Sequence, residues 1–229
     1  MTIDAVIPYW AGYVANPDDV KNRGLIETAG KKVIDRTVEV LRKIEKIEKV
    51  IIYSNDRDIF LHLLEIENVE IRARPTSLDN PESRIEDVVT SFLATTEAST
   101  IVMCHPKCPL ILPSSIEKCI DEVASGHFDT ATCVKRVRDL AWYKSVPLNY
   151  SLGSKIPKAN EIEQIIIEAG GVYVFQKDKY LKHGSRLHGE IYFHGLSNIE
   201  AIEVSSSEDI ELLELIINSG LVATGVSDE

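Results

Sequence analysis

Residues 3–41, IDAVIPYWAGYVANPDDVKNRGLIETAGKKVIDRTVEVL, decide how the rest of the chain is read. The first six residues are an almost unbroken apolar run that stops at Pro8, as expected of a strand covered on both faces. Apolar periodicity returns at Val33. From there Val33, Ile34, Val38, Leu41, Ile44 and Ile47 fall at three- and four-residue intervals on one stripe of a helix. The loop between, residues 9–32, carries Gly12, Asn16, Pro17, Lys21, Asn22, Arg23, Gly24 and Gly30. A strand feeding a cationic, glycine-containing loop invites phosphate. This loop lacks the dense glycines and the early basic residue of a compact phosphate cradle.

The same alternation continues outward. Strands are predicted at 49–54 (KVIIYS), 69–73 (VEIRA), 100–104 (TIVMC), 130–137 (TATCVKRV) and 171–176 (GVYVFQ). Helical patterns lie between: Ile59, Leu63 and Leu64 after an Asn55 or Asp56 cap, and Ile85, Val88, Val89, Phe92 and Leu93 after Ser83. A third, Ile116, Cys119, Ile120 and Val123, follows Ser114 or Ser115 and stops at Gly126. Apolar strands alternating with helices predict an α/β, three-layer fold around a mostly parallel sheet. Such sheets bind ligands beyond the carboxyl ends of their strands. The loop at 9–32, Ser54-Asn55-Asp56, Arg74-Pro75 and residues 105–109 (HPKCP) are therefore the places to examine. The alternation fails after about residue 137. Residues 138–168 carry Leu140, Trp142, Val146, Leu148 and Ile156 with no evident internal core to receive them, which predicts either a partner-facing arm or a long surface loop.

At 229 residues the chain fits one domain, 1–229, with an excursion, and 44% apolar against 27% charged residues argues against disorder. A net charge of −11 excludes a general nucleic-acid or acidic-membrane surface. An anionic ligand needs local cations, and Lys21, Arg23, Lys31 and Lys32 supply them. The four cysteines, Cys104, Cys108, Cys119 and Cys133, are expected to be buried thiols, since CHPKC has no second ligand pair at finger spacing. The start MTIDAVIPYW has neither a basic leader nor a long apolar run, so a cytoplasmic protein is expected.

The strand exits, taken in order, resemble those of the cytidylyltransferases that make CMP-sialic acid and related CMP-sugars, and are similar to the nucleotidyltransferases of spore-coat polysaccharide synthesis. The resemblance rests on Ile7-Pro8, on Lys21-Asn22 followed by AGKKVIDRTVEVL, on Ser54-Asn55-Asp56, and on Arg74-Pro75-Thr76-Ser77-Leu78. It continues through His105-Pro106-Lys107-Cys108-Pro109-Leu110, where the family has Gln-Pro-Thr-Ser-Pro-Leu, then Ala169-Gly170-Gly171-Val172-Tyr173 and IEVSSSEDIELLE at 202–214. It implies a nucleotide-diphospho-sugar-transferase-like domain that transfers CMP from CTP to an acidic sugar, or a related phosphonate or phosphate acceptor, with release of pyrophosphate. It also implies a homodimer whose arm, 138–168, helps close the neighbour's site.

Carried over residue by residue, the resemblance makes Lys21 and Arg74 catalytic. Pro8, Tyr9, Gly12, Lys21, Asn22, Arg23, Ser54, Arg74 and Pro106 become nucleotide-binding, and Glu203 and Asp209 the carboxylates for Mg²⁺. Lys21 and Arg23 would neutralise phosphates, main-chain groups around Gly12 would cradle oxygens, and cytosine with its ribose would lie near Pro8 and Tyr9. The departures are specific. Where the family has approximately Pro-Ala-Arg-Gly-Gly-Ser-Lys, this chain has Tyr9, Trp10, Ala11, Gly12, Tyr13 and Val14, without the arginine or first lysine. Glu203 and Ser205 stand where aspartates are expected. A non-catalytic relative acting as a nucleotide-binding or scaffold protein is the alternative reading. A glycosyltransferase using Asp56-Arg57-Asp58 is the weaker one, because a helix cap explains those acids. His183, Arg186, His188 and His194, close together in LKHGSRLHGEIYFHG, are expected on a polar surface loop.

Overall fold

The computed structural model describes residues 1–10, 23–63, 66, 68–80, 82–153 and 155–221. In chain order the elements are β1 (Ile3–Pro8), β2 (Glu27–Thr28), β3 (Lys31–Lys32), α1 (Val33–Arg42), β4 (Lys49–Ser54), α2 (Arg57–Leu63), β5 (Glu70–Ala73), α3 (Ile85–Leu93), β6 (Thr100–Cys104) and α4 (Pro113–Ala124). There follow β7 (Thr130–Val137), β8 (Trp142–Tyr143), β9 (Val146–Pro147), β10 (Ile165–Gln176), α5 (Lys177–His183), β11 (Ile191–Gly195) and α6 (Ser207–Asn218). Seven strands form one sheet in the order β11-β7-β10-β6-β1-β4-β5. β5, β4, β1 and β6 pair in parallel, as does β11 with β7, while β10 runs antiparallel to both its neighbours.

The pleat sends alternate residues into two cores. Ile3, Ala5, Ile7, Val50, Ile52, Val102 and Val174 join Ile34, Val38 and Leu41 of α1 and Ile116, Ile120 and Val123 of α4. Val6, Ile51, Tyr53, Ile101, Met103, Tyr173 and Phe175 join Val88, Val89 and Phe92 of α3 and Tyr180 of α5. Helices thus cover both faces, giving the three-layer arrangement expected from the continuous apolar strands.

The exception to parallel pairing has a simple cause. Parallel neighbours need a crossover, usually a helix, whereas β7 returns to β10 through the arm at the same end of the sheet. β10 begins at Ile165 rather than 171, and its register with β7 shifts between Glu168 and Tyr173. Gly170 and Gly171 sit at that shift with φ of 76° and 60°. Side chains there would meet Leu196 Cδ1 at 2.8 Å and His105 Cβ at 2.9 Å, so the crowding and the left-handed backbone both require glycine.

The region after β10 differs from the expected polar loop. α5 ends at His183 with Gly184 as its left-handed cap, and Ile191–Gly195 is an edge strand in which His194 is buried. Five residues flanked by glycines gave too short an alternation to read as a strand. Two caps also differ. α4 starts with Pro113 at its first turn instead of a serine cap, and Ser115 donates to buried Glu200 at 2.5 Å. α3 starts after Arg84, not Ser83. The Asp56 cap holds: Ile59 N donates to its carboxylate at 2.9 Å.

All four cysteines are buried and free. The arm folds into a β8–β9 hairpin whose turn residues, Lys144 and Ser145, both have positive φ. Trp142, Tyr143, Val146, Leu148, Leu152 and Ile156 are each more than half exposed.

Candidate active site at the strand exits

The exits of β1, β4 and β5 enclose a cavity of about 250 Å³ lined by Tyr9, Trp10, Ser54, Asn55, Asp56, Arg74 and Asp79. The chain places them by extending the sheet one step beyond its strands: Tyr9 N donates to Tyr53 O at 3.1 Å, and Arg74 N to Ser54 O at 3.1 Å. Arg74 is only 4% exposed. Its Nη2 donates to the Asp79 carboxylate, its Nη1 to Tyr9 O at 3.5 Å, and its guanidinium lies 5.6 Å from the centre of the Trp10 ring. Asn55 Nδ2 donates to the other Asp79 oxygen at 2.6 Å. The Nε of Arg74 and the hydroxyl of Tyr9 are buried with no partner among the described residues, so the cavity wall keeps two unmet donors.

Tyr9 turns inward against Gly24, where a side chain would come within 2.5 Å of the ring. Burial first, then the nearby charges of Asp56 and Asp58, push its phenol far above the ordinary tyrosine range. It is a hydrogen-bond donor at every physiological pH. Ser54 is fully buried, and Asp56 N donates to its Oγ at 3.0 Å.

A second group of polar side chains sits at the exit of β6 and beside the stretch of antiparallel β10 that adjoins it, around Gly171–Tyr173. His105 N donates to Gly171 O at 2.9 Å, and Val204 N to Lys107 O at 2.8 Å, tying this turn to β10 and to the segment before α6. Lys107 Nζ pairs with Glu203 at 2.7 Å. Tyr173 donates to Glu168 at 2.7 Å, and the Arg186 guanidinium lies 4.5 Å from the centre of the Tyr173 ring and pairs with Glu86 at 2.7 Å. Burial and the Glu168 hydrogen bond raise the Tyr173 phenol to about 12. Burial, then the charges of Lys107 and Arg186, hold His105 down at about 4, so its imidazole is neutral at pH 7.

Of the residues singled out in the sequence, Pro8, Tyr9, Ser54 and Arg74 thus converge at the first group of exits, and Pro106 stands at the second. Gly12, Lys21 and Asn22 lie outside the described residues, as does the side chain of Arg23, whose main chain opens a short 3₁₀ turn. Glu203 and Asp209 do not fit as free metal carboxylates. Glu203 holds Lys107, and Asp209 closes a capping box on α6, accepting from Ser205 N, Ser206 N and Ser206 Oγ at 3.0, 2.7 and 2.9 Å. No cluster of three or more His, Cys, Asp or Glu side chains able to hold a metal occurs among the described residues.

Sequence reasoning placed Asn55 at a strand exit without giving it a role, and missed Asp79 as a cavity wall although it follows the Arg74–Leu78 motif directly. It also missed Glu168 and the folding back of Arg186 onto Tyr173, for which no local pattern gives a signal.

A central, mostly parallel sheet with a polar cavity at its strand exits defines a nucleotidyltransferase-like α/β protein. The family model described as cytidylyltransferase matches residues 19–152, and the chain belongs to that family. A search of curated proteins finds no match. Solved structures give the same fold at low identity. A CMP:2-keto-3-deoxy-manno-octonic acid synthetase complexed with CTP is 16% identical with a TM-score of 0.62, covering 99% of this chain and 93% of its own. A 4-diphosphocytidyl-2C-methyl-D-erythritol synthase from Anaerococcus prevotii is 16% identical with a TM-score of 0.63, covering 95% and 98%. The bifunctional IspDF from Campylobacter jejuni is 13% identical with a TM-score of 0.65, covering 92% of this chain and 54% of its own. Among the described residues no helix is long and apolar enough to cross a membrane.

Proposed function

We propose that this cytidylyltransferase binds CTP with its base and ribose in the cavity at the β1, β4 and β5 exits and transfers CMP to an acidic sugar, or a related phosphonate or phosphate acceptor. The observation that carries the reading is the convergence of Tyr9, Ser54 and Arg74 on one cavity in a chain of this family. The acceptor oxygen attacks the α-phosphorus, and pyrophosphate leaves. The protein supplies position and charge for that displacement. Lys21 and Arg23, with main-chain groups near Gly12 and Asn22, are the proposed phosphate partners, and Pro106, in the turn after β6, is a proposed nucleotide contact. Mg²⁺ is the proposed counter-ion, carried mainly by the triphosphate and its waters, since Asp209 is a cap and Glu203 is paired.

Calorimetry with the four nucleoside triphosphates tests the binding half. CTP should bind more tightly than the others, and more tightly with Mg²⁺. Equal affinity for all four, or none, supports the scaffold alternative, which the Trp10 ring in place of the family arginine favours. Pyrophosphate release with a panel of acidic acceptors tests the transfer.

We also propose a cytoplasmic homodimer through the arm, residues 138–168, on the grounds of its exposed apolar side chains. A stable twofold interface typically buries about 1,600 Å². Sedimentation should give twice the monomer mass, and Trp142→Glu should return the monomer. A monomeric wild-type protein at micromolar concentration removes the dimer from the reading.

A further inference from the structure

We propose that the Lys107 ammonium takes the part of a protein-bound divalent cation at the β6 exit: held by Glu203, it meets the nucleotide's phosphates directly, and this carboxylate binds no metal of its own. This rests on the transferase reading above and deepens it.

The chemistry starts from the donor set. Of the acids expected to hold Mg²⁺, Asp209 has its carboxylate filled by Ser205 N, Ser206 N and Ser206 Oγ. Glu203 accepts from Lys107 Nζ at 2.7 Å. A divalent ion on that carboxylate would sit beside a full positive charge and be repelled by it. The ammonium can replace the ion. It is a compact charge with three rotatable donors, and it binds phosphate as a point charge. One donor goes to Glu203, and the others have no protein partner among the described residues. The Lys107 and Glu203 side chains are 34% and 28% exposed, so a ligand can reach them.

The pair is built into the fold. Val204 N donates to Lys107 O at 2.8 Å, which joins the two segments beside the ion pair. The lysine stem crosses Gly171, where a side chain would come within 3.3 Å of Lys107 Cε. Its charge is felt inside the turn. After burial, Lys107 is the main cause that keeps the His105 imidazole neutral.

The placement suits a phosphate partner. The parallel register of β1 and β6 pairs Val6 with Met103, and carried onward it brings Pro8 level with His105. Val204, next to Glu203, is buried with Val33, the first residue of α1. The ion pair therefore lies between the two ends of the segment that leaves β1 at Pro8, carries Lys21 and Arg23, and enters α1. A triphosphate held by that segment has the ammonium as its neighbour. The Mg²⁺ it carries needs no protein carboxylate at this exit.

The test uses full-length protein and reads metal and nucleotide separately. Mn²⁺ binding is followed without nucleotide, by loss of the free-ion paramagnetic resonance signal. Wild type and Glu203→Gln should bind Mn²⁺ alike. Lys107→Asp puts a second acid beside Glu203 and should tighten binding about tenfold, a gain that adding Glu203→Gln should abolish. Affinity for α,β-methylene CTP is then measured by calorimetry in EDTA. Lys107→Met should weaken it about tenfold, the scale of one charge-assisted hydrogen bond, while Lys107→Arg should keep most of it. A Mn²⁺ site in the wild type that Glu203→Gln removes overturns the proposal. So does equal metal-free affinity in wild type and Lys107→Met, which leaves only a surface ion pair. If the analogue binds with neither EDTA nor Mg²⁺ present in excess, the transferase reading fails first, and the Mn²⁺ measurements still decide whether Glu203 is a metal ligand.

Discussion

At the β1, β4 and β5 exits one buried arginine is held by an aspartate, an aromatic ring and a main-chain carbonyl, and it borders an open cavity. At the exit of β6, beside the adjoining stretch of β10, two partly exposed cations, each with its own glutamate, flank a histidine held in its neutral form. The first arrangement is preorganised. Arg74 is held from several sides, so its guanidinium keeps one orientation at the cavity wall. The second is adjustable, because ion pairs between partly exposed side chains are worth about 0–1 kcal/mol and exchange readily with a ligand's charge. The first region offers fixed donors, the second movable charges.

The largest effect should come from neither region but from the proposed phosphate partner. Lys21→Ala should lower kcat by about two to three orders of magnitude, the scale of one lost charge-stabilising donor, about 2–4 kcal/mol, with CTP affinity less affected. Stopped-flow pyrophosphate release measures it. Near-normal turnover would mean that the phosphates are held by other groups, and the two regions would then need another link.

The next separates the regions by pH. His105 titrates at about 4 in the folded protein and near 6.5 when unfolded. Between those values the unfolded chain binds a proton that the native state refuses. Stability present above pH 6.5 is therefore lost as the pH falls toward 4. Denaturant melts should show that His105→Gln removes roughly 2–3 kcal/mol of this loss. An unchanged acid limb would show that the ring is not held neutral.

Arg74→Met should weaken CTP binding by about 10- to 100-fold by calorimetry, the scale of a lost charge-assisted hydrogen bond of about 1.5–3 kcal/mol, and should leave the His105 titration in place. A shift in both would join regions that the geometry keeps separate. The smallest effect belongs to the hinge of β10. Gly170→Ala forces a side chain into a left-handed backbone 2.8 Å from Leu196 Cδ1 and should cost about 1–2 kcal/mol, lowering Tm by roughly 3–8 °C.

The first region was largely legible in the sequence and the second was not. Ile3–Pro8, Lys49–Ser54, Thr100–Cys104 and Thr130–Val137 match their predicted strands, because a buried parallel strand must be an apolar run of limited length. Once those strands were placed, Tyr9, Ser54 and Arg74 followed as their exits. The second region depends on β10 running backward between β7 and β6, and on Arg186 crossing from the segment after α5 to Tyr173. Neither leaves a local period, since an antiparallel return is set by which strands lie free to pair. Asp209 teaches the same point from the other side. An acid before a helix reads equally as ligand or cap, and the three donors around it make it a cap.

The backward strand has a consequence for the arm. Because β7 and β10 are adjacent and antiparallel, the 138–164 stretch between them is topologically a hairpin loop, however long it is. The entropy of closing such a loop rises only with the logarithm of its length, about 0.6 kcal/mol for each doubling. The arm can therefore be lengthened, trimmed or exchanged with little penalty to the sheet. Changes in the arm can accumulate independently of the sheet whose strand exits carry the cavity.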